Sequence, residues 1–372
     1  MTNKSRSKTA RLLRFGVIGG SLTGMALAYR FALQYRERVG LPHRSSVDIS
    51  PADFGLAFEN VDIPAGDHHL AGWFVPAEPE TAAAAPESAA PGPESAEPRP
   101  AIVIVHGWES NRGRTFAHVR YLHAAGFHCL VFDVRGHGDS PDESLPINVP
   151  EFAEDTAAAA RWAAARPEVS EVGVVGHSMG GAGAIVAAAH ESLIKAVVSA
   201  SAPADLVRMT RKTFAMAEMN IPEPIATPLA WFTAAVLLIP RRHSVEDASA
   251  TAAAAKYRGP LLLIHGAQDH GVPVSHLELI ARAAVEGRGR EDDPPVDTLV
   301  LPDFGHRWLY EDAGCRSKTA TFFAKALGGP ISPAVAGERA AACVVQRPAE
   351  PVYGFGAAAS KTPPTERATA GR

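Results

Sequence analysis

The chain has 372 residues, of which 46% are hydrophobic, and a formal net charge of −4. That is enough for one large domain or two ordinary ones with a sizeable core, and it excludes the concentrated basic face of a nucleic-acid binder. Three widely spaced cysteines, Cys129, Cys315 and Cys343, make neither a disulfide framework nor a zinc-binding spacing.

The N-terminus is basic, with Lys4, Arg6, Lys8, Arg11 and Arg14, and an uncharged apolar stretch follows from Phe15 to Tyr29. Arg30 interrupts it and the apolar pattern resumes to Tyr35. A spanning helix needs about 20 apolar residues. Phe15–Tyr35 reaches that length if Arg30 snorkels to the interface. The leading expectation for 1–45 is therefore a membrane anchor. Its basic end would lie in the cytoplasm and the following domain outside it. A cleaved signal peptide, with Ala26-Leu27-Ala28 as a small-x-small site, is the second reading and would give a secreted protein. A soluble amphipathic helix is the third, and five preceding cations argue against it.

From about residue 46 the pattern becomes globular. Phe54–Ile63 and Leu70–Val75 read as two strands around Gly66 and Asp67. The Ala, Pro, Glu and Ser of 77–100 cannot build a core, which predicts a disordered surface insertion. Strands and helices then alternate. Strands are expected at Ala101–Val105, His128–Phe132, Glu171–Val175, Ile194–Ala200, Pro260–His265 and Val296–Leu301. Helices are expected at Arg114–Ala125, Glu151–Arg166, Met179–His190, Ser275–Val285 and Lys318–Leu327. Near-continuous apolar strands alternating with helices imply an α/β fold, a mostly parallel sheet covered on both faces. Such a sheet binds ligands at the carboxyl ends of its strands. The alternation breaks at 204–255, where several prolines punctuate apolar residues. This segment is expected to be a small helical cap over the site, with Ile225–Ile239 lining an acyl pocket. The residues from 329 to 372, rich in Ala, Pro, Gly and Arg, are expected to be a disordered tail.

Gly176-His177-Ser178-Met179-Gly180 fits G-x-S-x-G between an expected strand and an expected helix. That context marks a nucleophile elbow. A tight strand-to-helix turn projects the Ser178 hydroxyl, and Gly176 and Gly180 lack the Cβ atoms that would clash there. The helix N-terminus beside it offers N–H groups to a developing anion. His106, His137 and His177 read as structural residues, His177 flanking the nucleophile in the elbow. No ligand set has zinc-like spacing, and the Asp133-Val134-Arg135-Gly136-His137-Gly138-Asp139-Ser140 run fits neither phosphate-loop pattern, so no cofactor is expected.

With His106-Gly107-Trp108 upstream and the Asp133–Ser140 run between, the chain resembles the α/β-hydrolase superfamily from about Asp53 to Leu327. Within it the chain is similar to bacterial serine hydrolases of the lysophospholipase and serine-aminopeptidase-like group. The resemblance implies an eight-stranded sheet, a domain over 46–328, and the chain order nucleophile, acid, histidine. Ser178 would be the nucleophile. Asp269, after a late strand, would be the acid, with Asp205 as runner-up. His306, after the last strand, would be the base, whereas His270 lies too close to Asp269 along the chain. The backbone N–H groups of Met179 and Trp108 would form the oxyanion hole. The implied activity is hydrolysis of a carboxylic ester of an acyl or lipid-like small molecule through an acyl-enzyme. Thioester or amide hydrolysis would use the same residues. A non-catalytic binding protein on this fold is the rival from another class.

Overall fold

Alternate residues of one buried strand sort the core into two halves. The computed structural model describes residues 24–78, 97–289, 293–345 and 347. In strand β3 (Arg99–Val105), Ala101, Val103 and Val105 join one apolar cluster, and Ile102 and Ile104 join the other. Both faces are covered because successive side chains of a strand point to opposite sides.

The sheet has eight strands: β1 (Glu59–Ala65), β2 (His68–Val75), β3, β4 (His128–Phe132), β5 (Val169–His177), β6 (Ile194–Ala200), β7 (Leu261–Gly266) and β8 (Val296–Leu301). Their spatial order is β1-β2-β4-β3-β5-β6-β7-β8. β1 and β2 pair antiparallel, as do β2 and β4. Every pairing from β4 through β3 to β8 is parallel. The first strand lies later than the hydropathy pattern predicts, and the second starts two residues earlier and ends where expected, at Val75. Pro51–Phe54 instead forms a 3-10 turn with Ser50 as N-cap and Asp53 completing a capping box. A proline at N1 and reciprocal capping favour a helical turn over a strand there.

Helices α3 (Val149–Ala164), α4 (Met179–His190), α7 (Ala250–Ala254) and α8 (Ser275–Gly287) cover one face. Helices α2 (Phe116–Ala124), α9 (Ala313–Leu327) and α10 (Pro333–Ala342) cover the other. Helix α10 corrects the expectation of a disordered tail from 329. Ser332 caps it and Pro333 opens it, while Ala336 and Ala340 are buried. Small residues dock close, and Arg316 donates to the carbonyls of Ala340 and Ala341 at its end. Of the tail, 346 and 348–372 lie outside the described residues, as does most of the 77–100 insertion.

The 204–255 segment is helical, comprising α5 (Leu206–Met216), α6 (Glu223–Leu238) and α7. Helix α6 is apolar all round. It buries Ala226, Ala230, Ala234 and Leu237 and leaves Ile225, Trp231 and Ile239 exposed. With its 3-10 extension, Glu223–Arg241, it is the one described helix long and apolar enough by composition to cross a membrane, yet part of it packs into the domain.

Residues 24–39 form the first described helix, α1, which runs through Arg30. Phe31 and Tyr35 pack against Phe214 of α5, with ring centroids 5.6 and 6.2 Å away, and Ala32 is buried. The end of the apolar run thus lies against protein, while Met25, Leu27 and Tyr29 are exposed. Residues 1–23 lie outside the described residues.

Candidate active site

The strand registers bring the site together. Val105 pairs with Gly176, His177 with Ala200, Ala200 with Ile264, and Gly266 with Leu301. The loops that leave the carboxyl ends of β3, β5, β6, β7 and β8 therefore open on one edge. The chain turns to opposite sides of β3 to reach β4 and β5, the switch point at which open α/β sheets bind ligands.

Ser178 follows β5 directly and is the N-cap of α4, with φ 55° and ψ −122°. A non-glycine residue at positive φ costs on the order of 1–3 kcal/mol unless its surroundings enforce it. Here they do. The Ser178 N–H donates to the Ala200 carbonyl at 2.8 Å, and the Ser178 carbonyl accepts from Ala182 at 3.1 Å. A Cβ on Gly176 would strike the Gly180 backbone, and one on Gly180 would strike the carbonyl of His106. Only glycine lets the elbow close against the β3 loop.

The residues expected from sequence converge. His306 Nε2 lies 2.9 Å from Ser178 Oγ. His306 Nδ1 lies 2.6 Å from Asp269 Oδ2. In the neutral imidazole these two bonds put the proton on Nδ1, donated to the carboxylate, and leave the lone pair of Nε2 facing the hydroxyl. Asp269 is buried, and its other oxygen accepts from the N–H groups of Gly271 and Val272 at 2.9 and 2.8 Å. Burial opposes its charge, but hydrogen bonds from His265, His306 and Val272 outweigh that and hold its carboxyl well below the usual carboxylate range. Asp205 is elsewhere. It caps α5 by accepting from Arg208 N and pairs with the Arg208 guanidinium. His270 is exposed. Met179 opens α4 directly after Ser178. Trp108 lines the cleft on the loop after β3, where Gly107 abuts the elbow.

Three histidines stand around the site, His106 and His137 buried and His177 half-buried. His106 Nδ1 donates to the Gly107 carbonyl at 2.7 Å and Nε2 accepts from Val134 N at 3.0 Å. His137 Nδ1 donates to the Arg135 carbonyl, and Nε2 accepts from Glu109 N at 3.3 Å. Burial pushes them down to about 4 and about 3 respectively. His177 Nε2 donates to the His306 carbonyl at 2.7 Å, and burial, with His306 beside it, pushes it down to about 3.

The cleft over Ser178 holds about 110 Å³ of space and is walled by Trp108, Trp308, Leu309 and Tyr310, with Arg114, His118 and Arg307 adding polarity. Among the described residues it takes no lining from 204–255. That corrects the expectation that Ile225–Ile239 line an acyl pocket: the buried arc of α6 faces the core instead. The wall from 307 to 310 was not legible, because it is a loop and a short 3-10 turn with no periodic pattern. His265 was also missed. Its Nε2 donates to the Val272 carbonyl at 2.7 Å and lies 3.3 Å from Asp269 Oδ2. A histidine directly after the apolar run Leu261–Ile264, within the same strand, was the available signal. Among the described residues no cluster of His, Cys, Asp and Glu could hold a metal ion.

Residues 96–237 match the family model of the serine aminopeptidases, S33. An uncharacterised protein of Mycobacterium tuberculosis is 26% identical over 73% of this chain and 84% of its own length. Human ABHD12B is 27% identical over 59% of this chain and 58% of its own length. The fold of Pyrococcus furiosus esterase Pf2001 superposes with a TM-score of 0.58 at 21% identity, covering 78% of this chain and 98% of that one. A puromycin-hydrolysing peptidase of Mycobacterium tuberculosis gives 0.53 at 23% identity, over 74% of this chain and 40% of that one. These matches support a serine hydrolase of this fold. Sheet order, elbow and structural likenesses together give the chain the α/β-hydrolase fold.

Proposed function

We propose that the protein hydrolyses a carboxylic ester of an acyl or lipid-like small molecule through an acyl-enzyme on Ser178. The observation that carries this is the chain of hydrogen bonds Ser178–His306–Asp269 at 2.9 and 2.6 Å. His306 Nε2 takes the hydroxyl proton as Ser178 Oγ attacks the carbonyl carbon. Asp269 stabilises the imidazolium that forms. The N–H groups of Met179 and Trp108 receive the oxyanion, a contribution of about 3–4 kcal/mol per donor in such sites. His306 returns its proton to the leaving alcohol, and water repeats the cycle on the acyl-enzyme. The aromatic walls around Ser178 favour an apolar acyl group, and the likeness to an esterase fold agrees. The peptidase likeness makes amide hydrolysis the second reading, because the same three residues would perform it.

Fluorophosphonate labelling tests the nucleophile. Folded wild-type protein takes the label and Ser178→Ala does not. Absence of labelling on the folded wild type would overturn the hydrolase reading. p-Nitrophenyl esters of graded acyl length, run beside an aminoacyl amide, then separate the two substrate classes. We further infer that the N-terminus tethers the catalytic domain to a membrane, outside the cytoplasm, on the strength of the five cations before Phe15–Tyr29. Carbonate-washed membranes should retain the protein. Release with a new start near Tyr29 would show a cleaved signal instead.

A further inference from the structure

We propose that His177 is a positioning residue for the general base, its ring fastening the backbone of His306 to the strand that carries the nucleophile. The proposal rests on the Ser178–His306 reading above. A carbonyl only accepts, so the 2.7 Å contact between His177 Nε2 and the His306 oxygen is an N–H donation. The two imidazole rings lie 5.0 Å apart and tilted by 57°.

His306 needs such a tie. It lies in the loop after β8, the edge strand of the sheet. Gly305 beside it has only the Gln268 carbonyl within 4 Å of where a Cβ would stand, so the backbone there has room to move. Further back the loop is held by Gln268, whose backbone N–H donates to the Phe304 carbonyl at 2.9 Å and whose side-chain amide donates to the Pro302 carbonyl at 3.2 Å. Asp269 grips the ring through Nδ1, which sets tautomer and tilt but leaves the ring's distance from Ser178 to the backbone. His177 supplies that second point. It is the last residue of β5, paired with Ala200, whose carbonyl also receives the Ser178 N–H. Nucleophile and base are thereby referenced to one strand end. Because burial and the neighbouring His306 favour the neutral His177 ring, which keeps its one N–H on Nε2, the clamp adds no second positive charge when His306 becomes a cation.

Misplacing a catalytic group by about 1 Å costs on the order of 100-fold in rate. The test counts functional serines by fluorophosphonate titration and reports kcat per labelled site on a soluble p-nitrophenyl ester. His177→Phe fills the space without a donor, and His177→Gln restores an N–H. His177→Phe should lose about 10- to 100-fold in kcat per labelled site with KM within about twofold, and His177→Gln should recover most of it. A purely structural role predicts a lower Tm and fewer labelled sites but an unchanged kcat per site, and that result overturns the proposal. So does a His177→Gln as slow as His177→Phe. His177→Met serves if His177→Phe does not fold. If Ser178→Ala still takes the label, the catalytic assignment itself has failed, which is a different outcome from a normal kcat in His177→Phe.

Discussion

Asp269 shows how much one side chain's surroundings decide. One of its oxygens is pinned by the N–H groups of Gly271 and Val272, and the other faces His306 Nδ1. In Asp269→Asn the amide oxygen stays on the two backbone donors, so the NH2 group must face Nδ1. His306 then accepts at Nδ1 and carries its proton on Nε2, where it cannot serve as a base. A fall in kcat of about 10⁴-fold follows, the size of the same change in serine proteases, with folding little affected. Steady-state kinetics beside a thermal melt would show it, and a loss under tenfold would mean that Asp269 does not orient the base. Ser178 was legible from its G-x-S-x-G turn at a strand end, and the resemblance to the α/β-hydrolases pointed to Asp269 and His306 at two later strand ends. The roles of His177 and His265 were not legible, since their partners are backbone carbonyls: His177 meets that of residue 306, distant in the chain, and His265 that of residue 272 across an irregular loop, and neither contact leaves a periodic signal.

At the scale of elements, α10 is the clearest case of tertiary context overriding composition. An Ala-rich stretch after Gly328-Gly329 reads as tail, yet it docks through Ala336 and Ala340. The buried Arg316 of α9 donates to the carbonyls of Tyr310, Glu311, Ala340 and Ala341 at 2.7–3.0 Å. One guanidinium thus ties α10 to the 3-10 turn that carries Tyr310, a wall of the cleft. Removing it strands carbonyls whose hydrogen bonds to a charged donor are worth about 1.5–3 kcal/mol each, offset where water reaches them. Arg316→Ala should therefore lose about 3 kcal/mol in urea unfolding with the m-value unchanged, and Arg316→Lys should recover only part of it, because a point charge cannot reproduce the planar fork. An Arg316→Ala protein as stable as wild type would remove the anchoring role.

The whole molecule carries an acid-sensitive core. His106 and His118 are held down to about 4, and His137 and His177 to about 3, all chiefly by burial. Each binds a proton near 6.5 when unfolded, so the unfolded state gains protons first as the pH falls. Their contribution to stability is full above about 6.5 and is lost progressively between about 6.5 and about 3. Asp269, held low by its hydrogen bonds after burial is overcome, adds a loss of the same sign below about 3.8. His68 and His243 act oppositely. A hydrogen bond to Asp155 raises the first and one to Glu151 the second, so their contribution is present at low pH and lost as pH rises through their raised values. Burial also lowers His123, His128 and His276, so among the described residues seven depressed imidazoles against two raised ones predict a Tm that falls steadily from pH 6.5 to pH 4 in calorimetric scans. A Tm flat across that range would mean that these imidazoles are not held neutral in the native state.

The sequence by itself determined the α/β class, the run of parallel strands and the elbow at Ser178, while the chain order of its partners came from the resemblance to the α/β-hydrolases. The first three follow from local causes: apolar runs of strand length, glycines where a Cβ cannot fit, and turn residues at strand ends. The tertiary structure alone decided the rest. It brought Ser178, His306 and Asp269 within hydrogen-bond distance through registers set across five strands. It turned the buried arc of α6 to the core rather than to the cleft, and it walled that cleft with residues 307–310 instead. Which of two faces an all-apolar helix buries, and which carbonyl a buried histidine meets, depends on neighbours distant in the chain, and periodicity holds no record of them.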